Sequence, residues 1–460
     1  MTEITQEQFR NNISKNFSEI AIDEALQSIG HGEIPLSILN NGEIHELEME
    51  RIFTRNWIFI GFEDEVPSPG DYHLRYIGKD EFIFVRDEKG SINVILNSCR
   101  HRGTAVCEAQ SGNSSHFRCP YHGWTYANNG SLVAYPRKET AYSGMNVKDW
   151  GLIRARVESY DGLVFACLDP TAPSLDKYLG DMKWYLDVNF KATGGMEVVG
   201  YPQRWVIDAD WKSGAENFTG DNFHPLVAHR SLIEAGLSGS WDAFVKNKVT
   251  DYLVITENQM ACIWRLVPPD TNSYCGYPEE VYSKFTPNEV NADQFEILRR
   301  LNLVALTIFP NMSFVHMGPS SDSPEKPESG FLNVRLWKPM GPGKMELWSW
   351  SLVPKRAPAA YKRRIQEISI SQFGPSGNAE VDDVAIWQRI SRASKGTLAK
   401  TQLLKINFKA GLDGAARNSK IYVGWKGPGI CIDNARDTEA GQRTFWSRWA
   451  NEISKPPIIQ

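Results

Sequence analysis

The most informative segment of the chain is Cys99-Arg-His101, followed after seventeen residues by Cys119-Pro-Tyr-His122. Each half supplies one cysteine thiolate and one histidine imidazole on a short loop. A [2Fe–2S] cluster that carries two cysteines on one iron and two histidines on the other uses this ligand set, and the neutral imidazoles raise its reduction potential. The motif therefore predicts such a cluster, with Cys99 and Cys119 on one iron and His101 and His122 on the other.

A structural zinc site would use the same atoms and is the alternative interpretation. Zinc motifs usually pair like ligands within one loop, as C-x2–4-C with H-x3–5-H. Here each loop carries one cysteine and one histidine, in the spacings C-x-H and C-x2-H. This mixed pairing favours iron and sulfide over zinc.

Length and composition limit the classes of protein that this chain can belong to. It has 460 residues, which suggests two or three domains, and a formal net charge of −5. That charge gives no reason to expect nucleic acid or an anionic membrane as a partner, and no apolar run approaches the roughly eighteen residues of a membrane span. The N-terminus lacks the pattern of a signal peptide, and the cysteines outside the motif show no disulfide-like spacing. We therefore expect a cytoplasmic protein.

The pattern of apolar residues divides the chain into three predicted segments, with an α+β fold class. Residues 1–39 look helical and polar. Residues 40–170 contain short β runs separated by turns, including the hairpin signal Asn128-Asn-Gly130, and are predicted to form an antiparallel β domain that carries the cluster. Residues 171–460 mix helices, among them 218–234 and 382–400, with long β runs at 252–266, 302–314, 330–339 and 344–354. This mixture predicts a second domain with an antiparallel sheet wrapped around helices.

A second set of metal-binding residue types lies between Asn217 and His229. Asp221 and His224 are spaced i, i+3 and share one face of a helix. His229 lies about 140° further round, at roughly 100° per residue. Both histidines can therefore bind one metal only if the helix ends or distorts between them. Two histidines at this spacing are equally compatible with structural roles.

A carboxylate further along the chain can complete the site. The segment Asn378-Ala-Glu-Val-Asp382-Asp383 offers one. Two histidines and one carboxylate hold Fe(II) on one face and leave the opposite positions free for dioxygen and substrate. Because oxygen activation needs electrons delivered singly, the cluster elsewhere in the chain favours this interpretation.

Both motifs resemble those of one known family. The residues around Cys99 and Cys119 resemble the Rieske boxes of ring-hydroxylating oxygenases, and 216–229 (ENFTGDNFHPLVAH) and 373–383 (FGPSGNAEVDD) resemble the iron-binding stretches of the catalytic α subunit, nearest the naphthalene and polycyclic aromatic branch. The resemblance covers nearly the whole chain. It implies a Rieske domain plus a helix-grip catalytic domain with a large antiparallel sheet. The implied mononuclear iron ligands are His224, His229 and Asp383, with Asp382 as the alternative to Asp383.

The same resemblance implies roles for neighbouring residues. Asp221 matches a carboxylate that links His224 to His122 of the partner subunit; the simpler alternative is that it orients His224 alone. Asn217 matches a position close to the iron and is, with Asp221, an implied catalytic residue. Where naphthalene-type relatives carry bulky aromatic residues before the glutamate, this chain has Asn378 and Ala379, which leaves the substrate open. The implied substrate pocket consists of Phe218, Phe223, Phe373 and Ala379.

The implied activity is that of a dioxygenase that adds both atoms of O2 to an aromatic hydrocarbon and forms a cis-dihydrodiol. The chain has no dinucleotide-binding fingerprint, so electrons from NADH would arrive through a separate reductase and ferredoxin. The implied assembly is an α3 trimer or an α3β3 complex with a β subunit. Alternatives are an electron carrier, a Rieske monooxygenase or demethylase, and an oxygenase for aromatic carboxylates, for which Arg230, Arg265 and Arg335 are candidate anchors.

Overall fold

The computed structural model of the chain describes residues 22–23, 26–237, 249–323, 325–401, 404–412 and 419–458. They form two compact units. The small unit is Phe53–Tyr178, and the large unit comprises the residues up to Ile52 together with Leu179–Pro457. These limits differ from the predicted boundaries at residues 40 and 170.

The small unit is built from three antiparallel sheets. The predicted hairpin around Gly130 is confirmed, since the strands on either side of it pair with each other. The four-stranded sheet has the spatial order Ile92–Leu96, Asp80–Arg86, Asp71–Ile77 and Ser111–Asn113. The two three-stranded sheets consist of Arg156–Tyr160, Leu163–Cys167 and Ile58–Phe62, and of His116–Arg118, Thr125–Ala127 and Leu132–Ala134.

The large unit contains a nine-stranded antiparallel sheet, which confirms the predicted α+β class and the predicted large sheet. Eight strands follow one path, in the order Met196–Val198, Lys344–Pro354, Ser329–Gly341, Met312–Ser320, Leu301–Ile308, Ala261–Leu266, Thr250–Ile255 and Ile430–Asp433. The ninth, Gln203–Ile207, also pairs with Lys344–Pro354. A separate two-stranded sheet joins Glu33–Pro35 to Lys405–Asn407.

Helices pack against this sheet. Ala359–Phe373 lies on the strands Ser329–Gly341 and Lys344–Pro354 and also contacts Asn378–Ser394. No helix among the described residues has the length and apolarity that crossing a membrane requires. The other α-helices within the described part of the chain are Gly42–Glu48, Leu175–Leu179, Met182–Asn189, Trp211–Asn217, Arg230–Glu234, Glu279–Tyr282, Ala292–Arg300, Thr397–Thr401 and Ala440–Ile453.

Three predicted elements are interrupted in the structure. The predicted helix 218–234 is wrong: the chain leaves the helix after Asn217 and resumes only as a short 3-10 turn and the helix Arg230–Glu234. Gly220 disfavours a helix, and Pro225 cannot donate the backbone hydrogen bond that a continuous helix needs. The predicted β runs 252–266 and 302–314 are each divided between two strands of a hairpin.

The residues before Phe53 belong to the large unit because Glu48 is part of a buried network there. Lys212 Nζ lies 2.6 Å from Glu48 Oε1 and 2.6 Å from Asp210 Oδ1. The indole N–H groups of Trp211 and Trp449 donate to Glu48 Oε2 and Oε1, at 2.9 and 2.8 Å. Both carboxylate oxygens of Glu48 and the ammonium group of Lys212 therefore have partners.

Removing one member of this network should destabilise the large unit. We expect Lys212→Met to lower the free energy of unfolding by about 3–5 kcal/mol, because the buried carboxylates lose their cation. Lys191→Met is the matched control, since Lys191 pairs with Asp187 at the surface at 2.8 Å, where a pair is worth roughly 0–1 kcal/mol. Urea denaturation followed by circular dichroism measures both. Equal effects of the two substitutions would contradict the expectation.

Candidate functional site

The two cysteine–histidine loops of the small unit are built alike. The backbone N–H of Gly103 donates to the carbonyl of Cys99 at 2.8 Å, and that of Gly123 donates to the carbonyl of Cys119 at 3.0 Å. Both glycines have positive φ, 81° and 71°, a region that glycine adopts without steric cost. Each tight turn therefore presents its cysteine and its histidine at one loop tip.

The side chains on these loops fit a [2Fe–2S] cluster. Cys99 and Cys119 are buried, and burial raises the pKa of the Cys99 thiol. The rings of His101 and His122 lie 4.5 Å apart, and their Nδ1 atoms are buried without a hydrogen-bond partner among the described residues. Buried nitrogens without partners are costly unless something absent from the protein chain binds them. Iron of the cluster would satisfy both nitrogens.

Two residues that the sequence analysis missed support the loops. The Tyr126 hydroxyl lies 3.3 Å from Cys99 Sγ and accepts a hydrogen bond from the backbone N–H of Arg100 at 3.0 Å, which leaves its own proton for the sulfur. The indole of Trp124 stacks on the ring of His101, with 5.1 Å between centroids and an interplanar angle of 8°. Trp124 and Tyr126 are two positions apart in an extended segment, so their side chains point to the same face. This spacing is the sequence signal that could have identified both residues.

In the large unit, the interrupted helix brings His224 and His229 to the same carboxylate. The distance to Asp383 Oδ1 is 3.6 Å from His224 Nε2 and 3.2 Å from His229 Nε2. Ligands about 2.1 Å from one metal and at right angles are about 3 Å apart, so this spacing fits a divalent cation. The three side chains form a candidate metal-binding group, with Asp383 supplied by the helix Asn378–Ser394.

The other nitrogen of each histidine is held by an aspartate. His224 Nδ1 lies 2.7 Å from the backbone carbonyl oxygen of Asp221 and 3.4 Å from its carboxylate. His229 Nδ1 lies 3.2 Å from Asp382 Oδ2. An Nδ1–H that donates to oxygen leaves Nε2 free as a ligand atom. The structure thus places Asp382 behind His229 and Asp383 in front of both histidines.

These carboxylates make the site favourable for positive charge. Burial lowers the pKa of His224, but Asp221 and Asp383 outweigh it and raise that pKa to about 9. Burial likewise lowers the pKa of His229, and Asp383 reverses the shift. Because the surrounding carboxylates stabilise a proton on each histidine, they would also stabilise a metal cation bound by the same nitrogens.

Asn217 and Asp221 adjoin the metal-binding group. Asn217 Nδ2 donates to Asp221 Oδ2 at 3.3 Å, and the other carboxylate oxygen, Oδ1, accepts from the backbone N–H of His224 at 3.3 Å. About a third of the Asp221 side chain, 32%, remains exposed. The turn that carries Asp221 packs against Gly441, where a Cβ would lie 2.6 Å from the carbonyl oxygen of Thr219. Glycine at this position therefore permits the close packing.

A cavity of about 510 Å³ opens beside the metal-binding group. Three of the predicted pocket residues, Phe218, Phe373 and Ala379, line it. The prediction for Phe223 is wrong: its side chain is 62% exposed and is not part of the lining. The interruption of the helix turns Phe223 to solvent and buries Asn222 instead.

The sheet supplies a further part of the cavity wall, of which the sequence analysis named only Arg265. Alternate residues of three neighbouring strands share one face of the sheet. The helix Arg230–Glu234 adds apolar side chains on another side. The lining residues from these elements are Ile263, Arg265, Asn302, Leu303, Ala305, Val315, Met317, Gly318 and Pro319 from the sheet, and Leu232, Ile233 and Glu234 from the helix.

All three candidate anchor arginines are paired with carboxylates. Arg265, the single arginine or lysine among the described lining residues, donates to Asp251 at 2.6 Å and to Asn222 at 2.7 Å. Arg335 is fully buried beside Glu380, and Arg230 pairs with Glu234. The cavity surface is therefore mostly apolar, and its one arginine is already paired. The further charged side chains of the lining, Glu234 and Glu328 besides Asp221 and Asp383, are carboxylates.

Comparison with known proteins places this geometry in a family. Residues 56–160 match the model of the Rieske [2Fe-2S] domain, and residues 175–451 match that of the ring hydroxylating alpha subunit (catalytic domain). The chain is 34% identical over 444 residues to the N,N-dimethyl phenylurea N-demethylase subunit alpha of Sphingobium sp., covering 94% of each chain. It is 32% identical to the benzene 1,2-dioxygenase subunit alpha of Pseudomonas putida, covering 96% of this chain and 95% of that one.

A solved structure agrees with these matches. Naphthalene 1,2-dioxygenase from Rhodococcus sp., bound to indole, superposes with a TM-score of 0.88 and 37% identity, covering 99% of this chain and all of that chain (100%). The solved structure therefore matches both domains of this chain, in the same order along the sequence. The chain belongs to the family of ring-hydroxylating dioxygenase alpha subunits, oxidoreductases that join a Rieske iron–sulfur domain to a catalytic domain.

Proposed function

We propose that the protein is the oxygenase alpha subunit of a system that adds both atoms of O2 to an aromatic hydrocarbon, giving a cis-dihydrodiol. One observation carries the proposal: His224, His229 and Asp383 converge at the side of an apolar cavity. Fe(II) held by these three side chains would supply the one-electron chemistry that dioxygen requires. The protein's part is to place the substrate and to exclude water.

The lining of the cavity supports a neutral aromatic ring as substrate. Phe218 and Phe373 offer flat apolar surfaces, and aromatic pairs gain from edge-to-face or offset contact. A substrate carboxylate would need a cation of its own, because burying an unpaired charge is costly. Arg265 is already paired with Asp251. The aromatic-carboxylate alternative is therefore less well supported.

Oxidative N-demethylation is the second candidate reaction. It is favoured by the 34% identity to an alpha subunit named for the N-demethylation of N,N-dimethyl phenylurea. Such a substrate also combines an aromatic ring with no net charge, so the argument from the mostly apolar lining applies to both classes. The products distinguish the two reactions.

Product analysis with isotopically labelled dioxygen tests the proposed function. We expect the enzyme, supplied with NADH, reductase and ferredoxin, to convert naphthalene or biphenyl into a dihydrodiol that carries both labelled atoms. Asp383→Ala should abolish the product and lower the iron content from about three atoms per chain to about two, while the visible cluster spectrum remains. Asp270→Ala, at an exposed position, is the matched control. Formaldehyde from N,N-dimethyl phenylurea without any dihydrodiol would favour the second candidate.

Electrons would reach the catalytic unit from a Rieske cluster held by Cys99, His101, Cys119 and His122. The chain would receive them from NADH through a reductase and a ferredoxin, in an α3 or α3β3 assembly. Asp221 would link His224 to His122 of the partner subunit. Its partly exposed carboxylate, fixed by Asn217 on one oxygen, supports this role. A carboxylate between two metal-bound imidazoles orients both rings.

Asp221→Asn tests the linking role. We expect both metal centres to remain loaded and single-turnover product formation to slow by about 10–100-fold, the usual scale for a partner of a ligating histidine. Rapid-quench measurement on pre-reduced enzyme gives the rate, and metal analysis gives the iron content. If Asp221 orients His224 alone, the iron content falls instead, while the rate per bound iron is unchanged.

Tyr126→Phe tests the assignment of Cys99 as a cluster ligand. A hydrogen bond to a ligating sulfur raises the potential of an iron–sulfur cluster. Loss of a bond worth about 1 kcal/mol should lower that potential by on the order of 40 mV. Redox titration followed by visible absorption measures it. Tyr135→Phe is the control, because that ring packs on Trp124 and its hydroxyl makes no hydrogen bond to a cysteine sulfur of the described residues. Equal shifts in both variants would contradict the assignment.

A further inference from the structure

A buried ion pair lies behind the cavity wall, outside the metal-binding group. Arg335 comes from the strand Ser329–Gly341 and Glu380 from the first turn of the helix Asn378–Ser394. Both side chains are fully buried, with 2.5 Å between the nearest nitrogen and oxygen. The remaining guanidinium nitrogens and carboxylate oxygen make no hydrogen bond to any described group. Neither residue lines the cavity.

The guanidinium contacts the aromatic rings of the cavity wall. Arg335 Cζ lies 4.5 Å from the ring centroid of Phe373 and 5.3 Å from that of Phe218. Arg335 Cζ also lies 5.7 Å from the ring centroid of Trp337, and Trp337 meets Phe218 edge to face. A planar cation attracts the faces of aromatic rings and prefers one orientation between them. Arg335 therefore restrains both rings that face the substrate.

The carboxylate of the pair is attached to the helix that carries the metal-binding aspartate. Glu380 follows Ala379, a lining residue, and precedes Asp383 by three positions, so the two carboxylates lie on the same side of the helix. The ion pair thus ties the first turn of this helix to the strand beneath the aromatic rings. One interaction joins the wall of the cavity to the metal-binding group.

Stability does not account for charges at this position. Replacing a buried ion pair by apolar residues of similar size is often neutral or stabilising. The unpartnered nitrogens and oxygen of Arg335 and Glu380 add to the cost of burying the pair. What the pair supplies, and two flexible apolar side chains would not, is a fixed orientation.

We propose that Arg335 and Glu380 act together as a positioning unit that sets how an aromatic substrate lies relative to Asp383. The inference rests on the proposed function. With the rings of Phe218 and Phe373 restrained, a planar substrate presents one edge to the metal. Without the restraint, the substrate adopts several orientations, and in some of them no ring carbon lies close to the metal-binding group. Turnover in those orientations reduces O2 by two electrons and two protons to hydrogen peroxide while NADH is oxidised to NAD+.

The double variant Arg335→Met/Glu380→Met tests the proposal, because it removes both charges and leaves none unpaired. With a methylnaphthalene, whose two rings are inequivalent, we expect the ratio of the two dihydrodiols to change by about threefold or more, the scale of one cation–aromatic contact. We also expect a larger share of the consumed O2 to appear as hydrogen peroxide. The iron content and the unfolding temperature should stay near those of the wild type. Arg335→Lys, which keeps the charge and loses the planar fork, should shift the product ratio in the same direction.

The matched control is Arg75→Met/Glu65→Met, a buried pair of the small unit with 2.6 Å between its charged atoms. Its product ratio should equal that of the wild type. A wild-type ratio and wild-type peroxide yield in the Arg335/Glu380 double variant would overturn the inference. If that variant does not fold, an unchanged ratio in Arg335→Lys overturns it and a shifted ratio supports it. Absence of any oxygenated product from the wild type would instead contradict the proposed function itself.

Discussion

The large unit depends for its chemistry on the interruption of one helix after Asn217. A continuous helix would place His224 and His229 on different faces, and Asp383 could meet only one of them. Gly220 and Pro225 break the helix, and Asp221 and Asp382 then hold the outer nitrogen of each histidine. The two Nε2 atoms are left facing one carboxylate oxygen. This geometry creates a site for a cation, and residues of the broken segment, among them Phe218 and Pro225, also line the adjoining cavity.

The two candidate metal sites differ in the charge of the groups that surround them. In the small unit, two cysteines and two histidines would supply the donor set, and the Tyr126 hydroxyl lies 3.3 Å from the sulfur of Cys99. In the large unit, carboxylates surround both histidines and raise their affinity for positive charge. The first environment suits a centre that accepts and releases single electrons. The second suits a divalent metal with open positions beside an apolar cavity.

Local signals in the sequence predict the chemistry better than they predict its surroundings. The spacing around Cys99 and Cys119 predicts the ligand set of the small unit, because those contacts lie within two short loops. Only the family resemblance favoured Asp383 over Asp382 as the metal ligand. The two residues are both aspartates, and the sequence does not show in which direction each side chain points. Phe223 was misplaced because its position next to the ligands in sequence does not determine the direction in which its side chain points. The sheet residues, such as Ile263 and Ala305, could not be found, because strand register is set by partners far away in sequence.

Two of the buried ion pairs of the large unit differ in their surroundings, and the difference separates a structural role from a functional one. Glu48 and Lys212 have partners for every charged atom, and none of their partners lines the cavity. That pair is explained by the fold it joins. Arg335 and Glu380 leave most of their polar atoms without a partner and are packed against rings that do line it. Apolar side chains of similar size in place of Arg335 and Glu380 would make the fold at least as stable. Stability therefore does not explain this pair, whereas control of the substrate's orientation does.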